Sequence, residues 1–467
     1  MPEVDAIVVG AGLSGLQAAL DLQKAGRSFL VLEARDRVGG KTRSVQRPDG
    51  KGVQELGAAW VNDTNQSLVW SYCQQFGLTS VVQNINGSVA CEDEEGNCHL
   101  FPFGEMPRFE AQDVENAVAL RDSVEAASLD PATFKQPQRQ RLDDLTFEQY
   151  CRTLGAGDLA LKTARLWTRG TLGHDPSDIS ALAFLEIARG GLGIVNLRYD
   201  GKEGAQHLRL REGTSAIATG MAALLPLDTV KLDHPVTSVT QHSSGAYTVT
   251  TEAKNTFTAQ KVILTIPSPA YKSMTFTPPL HPWKQSFTQS ARYGTYVKYI
   301  CLFESPWWRS VGACGLVQSF RGPINHCRDT SVDMDDNYAL TCFVAAGPGR
   351  RWLALNEEAR KKELLGQLGR LFGVEKERVE AEFQGAMVSE WHEDPWAGWG
   401  CPFAVPPSSG ILGMWEDGEA VKSKGNDLYF VGTEFVDDWR GYMEGALRSG
   451  KRGAEQALSD WEEAKRL

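Results

Sequence analysis

Apolar and polar positions over residues 4–33 predict a strand, a tight turn, a helix and a second strand. Asp5–Val9 is a short apolar run, and Gly10–Gly15 is rich in glycine. Leucines and alanines at helical spacing follow, until Gly26 stands where a helix commonly ends. Ser28–Glu33 is again short and apolar, so the segment reads as the opening unit of a Rossmann-like domain.

The rest of the chain changes its hydrophobic period several times. In chain order, the pattern predicts mostly helices over 100–200, strands over 227–267, strands over 286–345, a helix over 356–372, and a strand, turn and helix from 426 onward. No internal repeat or long low-complexity linker separates these parts. Since 467 residues exceed what one hydrophobic core usually holds, we expect two interleaved domains.

The turn after the first strand carries the spacing Gly10-x-Gly12-x-x-Gly15. Glycines at this spacing let a pyrophosphate approach the backbone, and the N-terminus of the following helix then faces the phosphates. Glu33, at the end of the second strand, is placed to accept hydrogen bonds from ribose hydroxyls and would repel a 2′-phosphate. The segment therefore predicts a site for a dinucleotide other than NADP.

Further short motifs follow, most of them rich in glycine, and together they span nearly the whole chain. They are Gly39-Gly40-Lys41-Thr42, Gly57-Ala58-Ala59-Trp60, His234-Pro-Val236, Gly432-Thr433-Glu434 and Gly441-Tyr442-Met443. In this order they resemble the flavin monoamine oxidase family, in its soluble fungal or microbial form. Lys41 stands where the family has arginine, which keeps the charge against the pyrophosphate but loses the planar fork.

The resemblance implies an α/β fold in which a Rossmann-like FAD-binding domain is interleaved with an α+β substrate-binding domain. We expect residues 1–80, 211–285 and 391–460 to form the FAD-binding domain. Residues 81–210 and 286–390 would form the substrate-binding domain.

The same resemblance implies which residues hold FAD. They are Gly10, Gly12, Leu13, Ser14, Gly15, Glu33, Ala34, Arg35, Gly39, Gly40, Lys41, Thr42, Gly57, Ala58, Ala59, Trp60, Val236, Trp391, Cys401, Gly432, Thr433, Glu434, Gly441, Tyr442 and Met443. We expect FAD to be held without a covalent bond, with a thioether to Cys401 as the alternative. Counting from Trp391 without a gap puts Gly400, not Cys401, at the family's linking position.

Three residues carry the expected chemistry. Lys298 lies inside an apolar run, where its amine needs a partner or a lowered pKa, and it matches the family lysine that holds a water beside the flavin. Tyr442 matches one wall of the family's aromatic cage, and Gln206 matches a glutamine that orients the substrate. Phe403 or Trp399 would replace the tyrosine of the other wall.

The implied reaction is the oxidation of a primary amine by O₂ to an imine, then to an aldehyde or ketone, with ammonia and H₂O₂. Resemblance to soluble fungal amine oxidases favours an alkyl or long-chain amine, and aminopolyols of the fumonisin type are one candidate. We expect the entrance to be lined from residues 167–173, 192–195 and 314–345. Arg169 and the Gly190-Gly191 bend differ from the apolar lining that suits small arylalkylamines.

The composition limits the classes of partner that we expect the protein to bind. A net charge of -11 argues against nucleic acid, and no run approaches the about 20 apolar residues that a membrane anchor needs. We expect an intracellular protein, cytoplasmic or addressed to peroxisomes by the weak terminal signal Lys465-Arg466-Leu467. Self-association as a homodimer stays open.

Nine cysteines, without a Cys-x-x-Cys motif, favour reduced thiols over a disulfide framework. No metal site is expected, since neither Cys91, Cys98 and His99 nor His326 and Cys327 have a standard zinc spacing.

Two other interpretations stay open at this point. A flavin desaturase or an oxidase of the protoporphyrinogen type shares the N-terminal motifs, but Lys298 and the segment Trp439–Ala446 favour amine oxidation. A non-catalytic FAD-binding scaffold would keep the cofactor motifs without oxidising any amine.

Overall fold

The computed structural model describes residues 3–398, 403–409 and 428–466 of the chain. The strands are β1 (Val4–Val9), β2 (Phe29–Leu32), β3 (Ser44–Gln46), β4 (Val53–Glu55), β5 (Ser80–Val82), β6 (Ser88–Glu92), β7 (Cys98–Pro102), β8 (Leu208–Leu210), β9 (Val230–Lys231), β10 (Val236–Gln241), β11 (Tyr247–Thr251), β12 (Thr256–Leu264), β13 (Thr275–Thr277), β14 (Arg292–Tyr293), β15 (Tyr296–Phe303), β16 (Ala313–Ser319), β17 (Ile324–Asp329), β18 (Tyr338–Ala345), β19 (Phe383–Ser389), β20 (Phe403–Ala404) and β21 (Leu428–Phe430).

Helices connect and cover these strands. They are α1 (Leu13–Lys24), α2 (Ser67–Gln75), α3 (Ala111–Leu129), α4 (Gln138–Asp143), α5 (Phe147–Thr153), α6 (Asp158–Leu172), α7 (Ala181–Gly190), α8 (Ile194–Arg198), α9 (Ser215–Ala223), α10 (Pro282–Ser290), α11 (Trp307–Ser310), α12 (Ala346–Leu353), α13 (Glu357–Phe372), α14 (Lys376–Glu382) and α15 (Met443–Arg466).

The first large sheet has the strand order β13-β10-β11-β12-β1-β2-β9. Its centre is parallel, since β1 pairs in parallel with both β12 and β2. One edge of β12 pairs with β11 through its first half and with β21 through its last three residues. Strands from the beginning, middle and end of the chain therefore meet in one sheet.

The second large sheet has the order β19-β15-β18-β17-β16-β6-β7 and is antiparallel except between β16 and β6. Its strands come from within 81–210 and 286–390, whereas those of the first sheet come from within 1–80, 211–285 and 391–460. The mixed α/β architecture is thus present, while the domain boundaries themselves stay a prediction.

Two sequence-based boundaries are wrong. The segment from residue 286 begins as helix, because Pro282 starts α10 and the first strand afterwards is β14. Within 227–267, the segments 256–258 and 261–266 each have the pattern of a separate strand, but they form the single strand β12. Its length follows from its position between β1 on one edge and both β11 and β21 on the other.

The described residues contain no helix with the length and apolar character that crossing a bilayer requires. They also contain no group of three His, Cys, Asp or Glu side chains suited to a metal ion. Their eight cysteines carry free thiols.

Candidate active site

A cavity of about 410 Å³ extends from the glycine-rich turn of the first sheet to the strands of the second. The turn after β1, the loop after β2 and the segment before α15 line one end. Side chains from α6, α8, β15, β16, β17 and β18 line the other end. The two ends are described in turn.

The turn between β1 and α1 is built from closely approaching backbone. A Cβ atom at Gly15 would lie 2.0 Å from the carbonyl oxygen of Gly10, so any side chain there would force α1 away from β1. The Gly39 amide donates to the carbonyl of Ala11 at 2.8 Å, and Gly12 forms a parallel bridge with Gly39. The second glycine pair therefore lies directly against the first.

Glu33 lines this end and is almost fully buried. One carboxylate oxygen accepts a hydrogen bond from the Ala11 amide at 2.7 Å, and the other accepts one from the Arg35 amide at 3.0 Å. A carboxylate can accept about four hydrogen bonds, so acceptor capacity toward the cavity remains. Arg35 is itself held by Asp394, at 2.7 and 3.2 Å.

Lys41 and Glu434 bring opposite charges to the cavity wall. The Lys41 Nζ lies 4.0 Å from the ring centroid of Tyr293. Glu434 accepts hydrogen bonds from the backbone amide and the hydroxyl of Ser268. Burial raises the pKa of Glu434, and the charge of Lys41 opposes that shift. The cation expected against a pyrophosphate therefore lines the cavity, with this carboxylate close enough to interact with it.

The segment before α15 is tied by the side chain of Thr433. Its hydroxyl accepts a hydrogen bond from the Gly441 amide at 2.6 Å and donates to the Tyr442 carbonyl at 3.1 Å. The Tyr442 ring lies edge-on to Trp439, with 5.3 Å between the centroids, and lines the cavity. These bonds hold the N-terminus of α15 and the Tyr442 ring in one arrangement.

Lys298 projects from the centre of β15 and is 8% exposed. Its amine donates to the carbonyl of Glu55 at 3.1 Å and to that of Gly57. Burial lowers the pKa of Lys298 to about 8, the charge of Glu55 opposes this, and the charge of Arg328 adds to it. Both features that a lysine in an apolar strand requires, a partner and a lowered pKa, are therefore present.

Aromatic rings form the wall around this amine. The Lys298 Nζ lies 5.4 Å from the ring centroid of Trp60 and 5.6 Å from that of Phe343. His326 stacks on Phe343 at 4.2 Å, and burial lowers the pKa of His326 well below its ordinary value. The histidine is therefore neutral, and the wall carries no charge of its own.

Gln206 lines the same part of the cavity. Its Nε2 donates to the carbonyl of Leu197 at 3.0 Å, which fixes the amide. Its Oε1 is buried and has no hydrogen-bond partner among the residues that the structure describes. An acceptor in this state suits a ligand N–H or O–H group.

Comparison with known proteins decides the family. The model of the flavin containing amine oxidoreductases matches residues 13–458. The chain belongs to this family. It is 30% identical over 466 residues to a flavin-containing amine oxidase of Oncorhynchus mykiss, covering 97% of this chain and 85% of the relative. The expected resemblance, and the expectation of an amine oxidase enzyme, are confirmed.

Solved structures share the fold of this amine oxidase. A putrescine oxidase bound to putrescine superposes with a TM-score of 0.88 at 24% identity, over 98% of this chain and 99% of that one. A cyclohexylamine oxidase from Brevibacterium oxydans IH-35A has the same TM-score at 23% identity, over 99% and 100%. The predicted fold, a Rossmann-like FAD-binding unit with a substrate-binding part, is confirmed.

The site residues expected from sequence are largely brought together in this amine oxidase. The cavity is lined by Gly10, Gly12, Leu13, Ser14, Glu33, Ala34, Arg35, Gly39, Gly40, Lys41, Thr42, Gly57, Ala58, Ala59, Trp60, Gln206, Val236, Lys298, Trp391, Gly432, Thr433, Glu434, Gly441, Tyr442 and Met443. Gly15 does not line it and instead allows the turn to close.

Cys401 and Trp399 lie outside the described residues, and Phe403 is described only through its backbone pairing with Tyr293. The residues present fit a flavin dinucleotide, the cofactor of the family. Glycine backbone lines the cavity, the buried carboxylate of Glu33 can accept hydrogen bonds from a ribose, and Lys41 supplies a cation.

The entrance prediction is partly wrong. Arg169 does not line the cavity, since its guanidinium pairs with Asp175 at 2.6 Å. Residues 192–195 are likewise not part of the lining, which instead takes Leu197 and Arg198 from the same segment. Arg328, within the expected range 314–345, also lines it, although the sequence did not single it out; a charged residue within a buried strand is a signal that could have marked it.

Proposed function

We propose that this amine oxidase converts a primary amine on an alkyl chain, with O₂ and water, into an aldehyde or ketone, ammonia and H₂O₂. The observation that carries the proposal is the meeting of Lys298, Tyr442 and the unpartnered Gln206 Oε1 on one cavity with the glycine-rich dinucleotide end. When bound, FAD would accept two electrons from the carbon that bears the amine and return them to O₂.

The chain's residues would position the amine. The Gln206 Oε1 would accept a hydrogen bond from the amine N–H, and the Tyr442 ring would confine the nitrogen. Trp60 and Phe343 would keep water from the reacting carbon. No described carboxylate is needed as a strong base, since Glu55 is engaged by Ser44 and Thr214, and Glu444 by Val69 and Arg448.

Lys298 would manage a proton during the reaction with O₂. Its amine is held by two backbone carbonyls and has a pKa of about 8, so it can carry or release a proton near neutral pH. The substrate amine must itself be neutral when it is oxidised. The rate should therefore rise with pH through the pKa of the bound amine.

The test is a panel of straight-chain primary amines mixed with the flavin-loaded protein without oxygen. Loss of the visible flavin absorbance, followed in air by stoichiometric H₂O₂, is the expected result. Bound flavin that no amine bleaches would instead favour a non-catalytic scaffold or another oxidase class.

We also propose that FAD is held without a covalent bond, because the family's linking position falls on Gly400 when counted from Trp391. Acid precipitation should leave the yellow colour in the supernatant. Colour that stays with the wild-type pellet and leaves that of Cys401→Ser would establish the thioether instead.

A further inference from the structure

The cavity ends, on the side of the second sheet, at a basic group on α8. Arg198 is the last residue of this helix and lines the cavity. Its guanidinium carbon lies 5.7 Å from the ring centroid of Trp167, which projects from α6. The helix is held in place by Glu125, whose carboxylate accepts a hydrogen bond from the Val195 amide at 3.1 Å. The backbone position of Arg198 at the cavity wall is therefore fixed.

Two hydrogen-bond donors at this end have no acceptor. Arg198 forms no hydrogen bond or ion pair with any residue that the structure describes. The indole N–H of Trp167, which is 1% exposed, also has no partner among the described residues. Buried donors normally find acceptors, because an unmet donor costs about 1–3 kcal/mol. Arg198, which lines the cavity, is therefore available to an acceptor supplied by a ligand.

The nearest acid does not supply that acceptor. Asp200 receives two hydrogen bonds from Arg328 Nε, at 2.9 and 3.2 Å, and one from Arg328 Nη2 at 2.9 Å. Arg328 balances the charge of Asp200. Arg198, Arg328 and Asp200 together therefore carry one net positive charge. Burial and the charge of Arg328 lower the pKa of Arg198 to about 10, so it stays protonated at neutral pH.

This positive group lies beside the Lys298 amine, and its charge acts on the cavity that both line. The ring centroid of Trp60 lies 5.4 Å from the Lys298 amine and 5.4 Å from the Arg328 guanidinium, so the aromatic wall lies beside both. A substrate ammonium would be repelled by Arg198 and Arg328, whereas an anionic tail would be attracted. The field therefore favours a substrate that brings an anionic group to Arg198.

We propose that Arg198 binds a carboxylate of the substrate, so that the substrate class is a primary amine that also carries a carboxylate. This rests on the proposed amine oxidation. A carboxylate matches the planar fork of a guanidinium. Asn325, whose Oδ1 lacks a described partner, lines the same cavity and offers a further polar contact once its amide orientation adapts. A diamine of equal length would place a second cation against Arg198.

The experiment compares three matched series on the flavin-loaded, full-length protein: straight-chain alkylamines, ω-amino acids from γ-aminobutyrate upward, and diamines. At the best chain length, we expect the wild type to favour the ω-amino acid over the alkylamine by about 10-fold or more in kcat/KM, as charge-assisted hydrogen bonds allow. Arg198→Met should remove this preference by raising KM for the ω-amino acid. Arg198→Glu should shift the preference toward the diamine, and Arg198→Lys should keep part of the original one.

The matched control is Arg152→Met, an exposed arginine on α5 that pairs with Glu148 and does not line the cavity. It should leave all three series unchanged. Equal ratios of ω-amino acid to alkylamine in wild type and Arg198→Met would overturn the inference. Flavin content and melting temperature establish that each variant is folded.

A binding measurement separates this inference from the proposed function. Straight-chain carboxylates without an amine are titrated against the oxidised protein, and the perturbation of the flavin spectrum gives Kd. We expect Arg198→Met to raise Kd about 10-fold or more, and Arg152→Met not to change it. If no amine reduces the flavin but this difference is present, the proposed function fails and the carboxylate site stands. If amines are oxidised but Kd is the same in all proteins, only the carboxylate site fails.

Discussion

The two ends of the cavity are built from different kinds of atoms. At the dinucleotide end, backbone groups dominate: the Gly12–Gly39 bridge and the Ala11 amide bonded to Glu33. At the substrate end, side chains such as Arg198 and Arg328 come from elements distant in sequence. The first end depends on short motifs that bind one invariable cofactor. The second depends on tertiary assembly, and under the proposed function its side chains would set which amine fits.

The largest effect is expected from a substitution that disrupts only the dinucleotide end. Gly15→Ala would bring a Cβ to 2.0 Å from the Gly10 carbonyl, which costs about 1–3 kcal/mol and opens the turn. We expect purified Gly15→Ala to contain almost no flavin, measured as the ratio of flavin to protein absorbance. Gly366→Ala on α13, whose nearest contact would be an ordinary 3.8 Å, should keep the wild-type ratio. A fully flavin-loaded Gly15→Ala protein would show that the turn can shift without losing the cofactor.

The next effect lies between the two ends, at Lys298. Lys298→Met removes the amine held by the Glu55 and Gly57 carbonyls but should leave flavin bound. We expect reoxidation of the amine-reduced protein by O₂ to slow by about 100-fold, the low end for a positioned proton-transfer group. Stopped-flow mixing with oxygenated buffer measures it, with the exposed Lys362→Met as control. Unchanged reoxidation would remove Lys298 from the mechanism.

A smaller effect tests the substrate end without changing its charge. Gln206→Leu removes the acceptor Oε1 and should raise KM for short alkylamines by about 3- to 10-fold, the contribution of one hydrogen bond. Flavin content should stay at the wild-type level, because Gln206 is not expected to contact the cofactor. Gln140→Leu, an exposed position on α4, is the control. A loss of flavin in Gln206→Leu would place this residue with the dinucleotide end instead.

The smallest effect concerns stability rather than turnover. The pKa of Lys298 is about 8 in the folded chain and 10.5 as an ordinary lysine, so between these values the unfolded chain binds more protons. The unfolding free energy of the wild type should therefore rise with pH relative to that of Lys298→Met, by at most about 1.4 kcal/mol per pH unit. Urea unfolding from about pH 8 to about pH 10 measures the difference. A difference that is constant over this range would mean that the buried amine keeps its ordinary pKa.

Sequence reasoning succeeded where position along the chain and position in space coincide. The glycine spacing, the βαβ order and Glu33 lie within one local unit, and the structure places them on one cavity. Lys298 was recognisable because an ionisable group inside an apolar run is costly without a partner. The wrong boundary at α10 arose because the expected strand period does not reveal a helix that begins at Pro282.

The substrate end was predicted less well for a physical reason. Arg169 and Arg198 both end short apolar stretches, and nothing local tells which one meets an acid. Asp175 neutralises Arg169, whereas Asp200 is taken by Arg328 from β17, more than a hundred residues away. Which arginine keeps an unmet charge is therefore decided only when α8 and β17 come together.

The closing of α15 onto α1 has a consequence for synthesis on the ribosome. A Cβ at Gly450 would lie 2.2 Å from the Ser14 carbonyl, so the last helix sits directly on the first. Gly432, Thr433 and Tyr442 enter the cavity with that helix. A nascent chain that has not yet emerged beyond them lacks one wall of the flavin site. We therefore expect cofactor uptake to follow translation, so that bound flavin marks a chain whose two ends have met.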